Sequence, residues 1–136
     1  MQHTSTKETS MADKTYQIEV EAEPHYIAEQ SNVATDVYVF GYRIRLTNTG
    51  SEPAQLISRH WIIADANNQE QEVRGMGVVG EQPRLEPGQT FEYSSATHLK
   101  TPYGAMRGSY QMLADDGKRF DVTIPEMTLV APRVLH

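Results

Sequence analysis

The chain has 136 residues, of which 18 are acidic and 12 are basic, so its formal net charge is −6. This length suits a single domain that buries a core without disulfides or metal. Because the chain has no cysteine, it can hold neither a disulfide nor a cysteine-based zinc or iron–sulfur site. The acidic balance opposes binding to a phosphate backbone, which requires a basic field. We therefore expect no nucleic-acid partner.

The first fourteen residues differ from the rest of the chain. Residues 1–14 are polar and have no apolar period, which predicts a disordered tail without a signal peptide. Residues 15–136 are predicted to form one domain. No apolar run approaches the roughly 20 residues that span a bilayer. We expect a cytoplasmic protein with no membrane insertion.

From residue 15 onward, apolar and polar residues alternate with period two, the pattern of half-buried β-strands. A loop holding Pro24 separates the first two strands, and Asp115-Asp116-Gly117 predicts a hairpin turn. Pro125 is expected to bend the last strand or confine it to a sheet edge. No segment has a convincing helical period. The predicted strands lie at residues 16–22, 38–47, 54–65, 69–74, 90–98, 106–114 and 120–124.

Seven or eight short strands with regular turn signals predict an all-β fold. We expect an immunoglobulin-like or fibronectin-III-like antiparallel β-sandwich with two sheets. Trp61 and Tyr110 lie where immunoglobulin-like folds keep a core tryptophan and a corner tyrosine. Met112 stands where true immunoglobulin domains have their second cysteine. Packing rather than a covalent bridge must therefore hold the sheets together.

Residues Gly75–Gly80 have the G-x-G-x-x-G spacing of a phosphate-binding loop, which requires a helix directly after it. Pro83 and Pro87 prevent a helix from starting there. We therefore favour a structural loop or bulge between strands. Its exposed amides, beside apolar side chains, predict a partner-binding edge. The candidate partner- or anion-binding residues are Arg74, Gly75, Met76, Gly77, Val78, Val79 and Gly80.

The titratable residues predict neither a metal site nor a catalytic centre. No two histidines have the spacing of paired metal ligands, and His60 should point to the opposite face from Trp61. Asp115 and Asp116 would suit magnesium, but a solvated turn is the simpler interpretation. No nucleophile motif is present. An acidic row and two arginines predict an ion-pair ladder across neighbouring strands. These residues are Glu19, Glu21, Glu23, Arg43 and Arg45.

Several motifs in a fixed order make the chain resemble bacterial ApaG proteins across roughly residues 15–130. The resemblance implies a fibronectin-III-like sandwich and a genetic association with cobalt resistance and magnesium efflux. It also implies a gene neighbourhood with a diadenosine-tetraphosphate hydrolase, and a use as an interaction module in F-box and polymerase-associated proteins. The motifs lie at Arg59-His60-Trp61, Gly75–Pro83, Leu85–Gly88, Phe91–Ser95, Thr101–Met112 and Phe120–Pro125.

These observations predict a non-enzymatic module that mediates protein–protein interaction and acts only indirectly in resistance to Co²⁺ and Mg²⁺ or in their efflux. We expect an unidentified protein partner, no cofactor, and a monomer or weak homodimer. The alternative is a regulator that binds a phosphate or dinucleotide through Gly75–Gly80, with Arg74 or Arg84 supplying charge. A metal-dependent hydrolase is a third hypothesis, and it depends only on the metal-linked phenotype of the family.

Overall fold

The structure is a computed structural model that describes residues 13–132. Of the predicted tail, residues 1–12 lie outside the described part. Two short 3-10 turns, Ala28–Gln30 and Val33–Thr35, connect the first two strands, and no helix in the described part is long and apolar enough to cross a membrane. The strands are β1 (Ile18–Tyr26), β2 (Tyr38–Asn48), β3 (Ala54–Asp65), β4 (Glu70–Met76), β5 (Arg84–Leu85), β6 (Thr90–Leu99), β7 (Tyr103–Ala114) and β8 (Arg119–Val130).

The strands form two antiparallel sheets. One sheet has the order β1-β2-β6, and the other has the order β4-β3-β7-β8 with β5 paired to β3. Both sheets contribute to one buried core, so they pack face to face as a sandwich. The predicted all-β antiparallel sandwich is confirmed, and its finer immunoglobulin-like or fibronectin-like assignment stays a prediction.

The alternation in the sequence correctly predicted which side chains fill the core. All five apolar residues on the inward face of β2 are buried, and Trp61 and Tyr110 are 2% and 0% exposed. The Oη atoms of Tyr93 on β6 and Tyr110 on β7 lie 2.5 Å apart, so one buried hydrogen bond joins the two sheets. Burial raises the pKa of both hydroxyls. The β2 residues are Tyr38, Phe40, Tyr42, Ile44 and Leu46.

The two prolines at predicted strand ends have different outcomes. Pro125 lies within β8, an edge strand, at a bulge opposite Arg107, which confirms the prediction. The predicted loop at Pro24 is wrong, because β1 continues through it to Tyr26. β1 is also an edge strand, and its odd-numbered residues form the hydrogen bonds to β2. The backbone nitrogen of Pro24, which has no hydrogen to donate, therefore faces away from β2. The proline therefore costs no ladder bond.

The two sides of the sandwich differ. On one side β1 packs beside β8, where the rings of Tyr16 and Phe120 lie 5.7 Å apart. Tyr16 Oη donates to Asp116 at 2.5 Å and Lys14 Nζ lies 3.1 Å from the same carboxylate. These contacts, the Tyr16 hydrogen bond first, lower the pKa of Asp116 to about 2. We call this region the β1–β8 seam. On the opposite side, β4 and β6 are the outermost strands of their sheets.

Candidate functional site

The glycine loop, Gly75–Gly80, ends β4 and leads into a tight hairpin. Val78 and Glu81 exchange two backbone hydrogen bonds of 2.8 and 2.9 Å across the turn residues Val79 and Gly80. Both turn residues have positive φ, 42° and 81°, as in a type I′ turn. The prediction that no helix follows the loop is confirmed, because residues 77–84 contain only this turn and the start of β5.

The backbone requires glycine at position 77, whereas glycine at position 75 leaves room for an arginine side chain. Gly77 has a φ of 65°, and a Cβ added there would collide with the Glu81 carbonyl oxygen. At Gly75 a Cβ would lie 2.8 Å from the Arg59 guanidinium, which passes over this residue. The structural interpretation of the G-x-G-x-x-G spacing therefore explains both glycines without a ligand.

Arg59 gives the loop its electrostatic character, and sequence reasoning did not assign it a role. Its Nη1 donates to the carbonyl oxygens of Gly77 at 2.7 Å and Met76 at 3.2 Å. The loop therefore directs carbonyl oxygens at a cation, whereas an anion cradle directs amides at its ligand. The sequence did contain one sign of this role. Arg59 lies two positions before Trp61, so it shares the inward face of β3 although it is charged.

The arginines expected to help an anion site both lie beside carboxylates, although Arg74 stays 70% exposed and can contact a further group. Arg74 lies 3.3 Å from Glu72, and Arg84 bonds Asp115 and Glu86. The pKa of Glu72 is lowered, first by a hydrogen bond from His60 and then by the charge of Arg74. The Gly77 and Val78 amides are also used, by Ile57 and Glu81. The nucleotide-binding alternative stays a prediction, which an ATP titration followed at the Gly75–Gly80 amides would test.

Within residues 13–132, the backbone of β4 has one side bonded to β3 and one side to which no strand pairs. The Gly77 amide donates to Ile57 and the Asp65 amide donates to Gln69, so the odd-numbered residues of β4 bond to β3. The even-numbered residues direct their N–H and C=O groups away from the sheet. We call this open row the β4 edge; its residues are Glu70, Glu72, Arg74 and Met76.

Apolar side chains flank one end of the β4 edge. Met76 is 69% exposed and Val79 is 54% exposed, whereas Val78 is 1% exposed and faces the core. Met76 ends the β4 edge and Val79 follows it three residues later in the turn, so both exposed apolar side chains lie near this end of the edge. Val78, which the sequence placed in the candidate site, belongs to the core instead.

Val79 carries backbone strain at an exposed position, because a β-branched residue with positive φ is a conformational outlier. We expect Val79→Asn to raise the free energy of unfolding by about 1 kcal/mol, since asparagine tolerates this region. Urea unfolding of the full chain measures the change. Val79→Ile retains the strain and should show no gain. A Val79→Asn protein no more stable than wild type would contradict the expectation.

The titratable residues outside the loop form surface pairs. Among residues 13–132, no three or more His, Asp or Glu side chains are grouped so that they could hold a metal ion. His60 lies on the outer face, 2.6 Å from Glu72, as predicted from its position beside Trp61. Asp115 pairs with Arg84, and Asp116 belongs to the β1–β8 seam.

The predicted ion-pair ladder is present at one of its two rungs. Arg43 lies opposite Glu23 in the register of β1 and β2, with Nη2 and Oε1 2.7 Å apart. Arg45 lies opposite Glu21 in the same register. The row thus occupies an outer sheet face, as expected for a solvated surface.

The chain is similar in sequence and in structure to proteins of one family. The sequence profile of the ApaG domain matches residues 28–114. Protein ApaG of Chromobacterium violaceum is 79% identical over 126 residues, which cover 93% of this chain and 100% of the relative. Protein ApaG of Nitrosospira multiformis is 59% identical over 123 residues, covering 90% and 97%. The crystal structure of a Bordetella pertussis protein under the name ApaA matches with a TM-score of 0.85 at 53% identity, covering 89% of this chain and 98% of that one. The chain therefore belongs to the ApaG domain family.

Proposed function

We propose that this chain is a non-enzymatic interaction module that docks an extended segment of a protein partner along the β4 edge. The observation that carries the proposal is the open row of backbone donors and acceptors from Glu70 to Arg74, continued by the Met76 amide, at the outermost strand of a sheet. An added strand satisfies such groups with main-chain hydrogen bonds, and alternate side chains supply specificity.

The side chains beside this row favour a particular kind of segment. Glu70 and Glu72 suit basic residues, Arg74 suits an acidic one, and Met76 with Val79 suits an apolar anchor. The strained conformation of Val79 also supports a docking role, because exposed strain is retained where function requires it.

We propose that any role in Co²⁺ or Mg²⁺ resistance or efflux is indirect and acts through the docked partner. Arg43, Arg74 and Arg84 lie in charge pairs with carboxylates on the protein surface. The proposal places the protein in the cytoplasm, where it requires neither a cofactor nor a membrane.

The test compares two double variants of the tagged full chain in pull-downs from native cells. Met76→Glu with Val79→Asp places two charges beside the β4 edge. The control, Val33→Asp with Val130→Glu, alters two residues of similar exposure, 58% and 59%, that lie outside this surface. We expect the first variant to lose at least one partner that wild type and the control both retain.

Both variants must resist urea at least as well as wild type for the comparison to be valid, and their exposed positions favour this result. Identical partner lists for the three proteins would contradict the proposal. If only the Val33→Asp, Val130→Glu control loses a partner, the docking surface includes Val33 or Val130 and not the β4 edge.

A further inference from the structure

The β4 edge is complementary to itself. Glu72 and Arg74 lie two residues apart on the same outer face, and their side chains are 55% and 70% exposed. Suppose that two copies of β4 run antiparallel about a twofold axis at Val73. Each Glu72 then lies directly opposite Arg74 of the other copy, so the axis generates two cross-strand pairs of opposite charge.

The backbone has the phase that this arrangement requires. Glu72 and Arg74 are residues whose N–H and C=O groups point away from β3, so each of these pairs can exchange two N–H···O bonds. A shift by one residue would set these groups against ones already bonded within the sheet. A shift by two residues places one like-charged pair on the axis, either Glu72 with Glu72 or Arg74 with Arg74, although the first of these shifts also sets Glu70 opposite Arg74 in two pairs. Of these three registers, only the one about Val73 has no like charges directly opposite each other.

Arg59 limits how far the pairing extends. Its guanidinium already occupies the carbonyl oxygen of Met76, at 3.2 Å, at one end of the edge. In the proposed register Met76 lies opposite Glu70, so this outer pair forms less readily than the central ones. The contact is therefore short and belongs with small, transient interfaces.

We propose that a second copy of this chain is an occupant of the β4 edge, which joins two five-stranded sheets into one continuous sheet across a weak twofold dimer. The inference rests on the proposed function, since it names one partner for the same docking edge. Self-pairing covers the open backbone groups when no other partner is bound. Another partner must then displace the second copy, which makes docking dependent on protein concentration.

Charge reversal in the full chain tests the register. Sedimentation equilibrium up to about 1 mM protein, where weak association is populated, should show an average mass that rises with concentration for wild type. Glu72→Arg alone and Arg74→Glu alone should each weaken self-association by about tenfold, because two attractive pairs become repulsive. An equimolar mixture of the two variants should restore association, since the paired arginines of one variant then face the paired glutamates of the other across the axis.

Glu70→Arg is the matched control, because it makes the same charge change but faces Met76 in the proposed register. It should weaken association by less than about threefold. A wild-type chain that stays monomeric throughout, or a mixture that associates no better than its components, would overturn the inference. The docking proposal is tested separately. It fails if the Met76→Glu, Val79→Asp variant retains the same pull-down partners as wild type. If wild type stays monomeric and the Met76→Glu, Val79→Asp variant still loses a partner in pull-downs, then the β4 edge binds a different protein and not a second copy.

Discussion

An Asn48→Asp variant is expected to be about 3–5 kcal/mol less stable than wild type at pH 7. Asn48 is 1% exposed at the end of β2. Its Nδ2 donates to the carbonyls of Glu52 and Leu85, each at 2.9 Å, and its Oδ1 accepts from the Gly50 amide at 2.9 Å. A carboxylate retains only the last of these bonds and places a buried negative charge against two carbonyl oxygens.

The loss should depend on pH in a definite direction. Burial raises the folded-state pKa of the introduced carboxyl above its unfolded value near 3.9. The neutral form is therefore favoured in the folded protein, and stability is lost as pH rises through the folded-state pKa. Guanidinium unfolding should therefore show that the Asn48→Asp variant lies closer in stability to wild type at pH 5 than at pH 7.

Asn32→Asp is the control, since Asn32 is exposed and the same chemical change there should cost less than about 0.5 kcal/mol. An Asn48→Asp protein within about 1 kcal/mol of wild type would contradict the buried network. So would a deficit that is identical at both pH values.

A Gly108→Ala variant is expected to lose about 3 kcal/mol, because two backbones and an indole meet at this position. A Cβ on Gly108 would collide with the His60 carbonyl oxygen and lie 3.0 Å from Cε3 of Trp61. These groups belong to β3, which has strands on both sides and cannot move away. Thermal and guanidinium unfolding measure the loss, and the near-ultraviolet circular dichroism of Trp61 should change.

Gly117→Ala is the control that separates the cost of steric contact from the cost of an unfavourable backbone conformation. Gly117 has a φ of 93°, but an added Cβ meets no atom within 4 Å. Its cost should be about 1 kcal/mol, from the unfavourable φ alone. Equal losses at Gly108 and Gly117 would show that contact with β3 is not the cause.

The alternation of apolar residues predicted the faces of β2, β6 and β7, because along a regular strand a residue's side of the sheet depends only on its parity. In β3 and β8 a bulge switches the buried parity, from Leu56 to Trp61 and from Ile124 to Met127, and no local pattern predicted it.

The same parity puts Gly108 between Met106 and Tyr110 on β7 but gives no reason for glycine there. The reason is the His60 carbonyl and the Trp61 ring on β3, and Trp61 lies opposite Gly108 in the β3–β7 register. Such cross-strand partners are separated by many residues, so a local pattern contains no information about them.

The candidate site was predictable in outline and not in detail. The prolines after Gly80 excluded a helix, which depends on local backbone chemistry alone. The type I′ turn was hidden, because such turns favour asparagine or glycine where this chain has Val79. The Arg59 contacts were also hidden, since they require the register of β3 and β4.

The β1–β8 seam has a consequence for how the chain reaches its native state. Tyr16 and its carboxylate partner Asp116 are 100 positions apart in sequence. A ribosome releases Tyr16 long before Asp116, so the seam closes only after Asp116 has left the ribosome. Contacts between such distant positions also carry a large loop-closure entropy, which slows the search. Until then β1 can pair with β2 but lacks its packing partner on the β8 side.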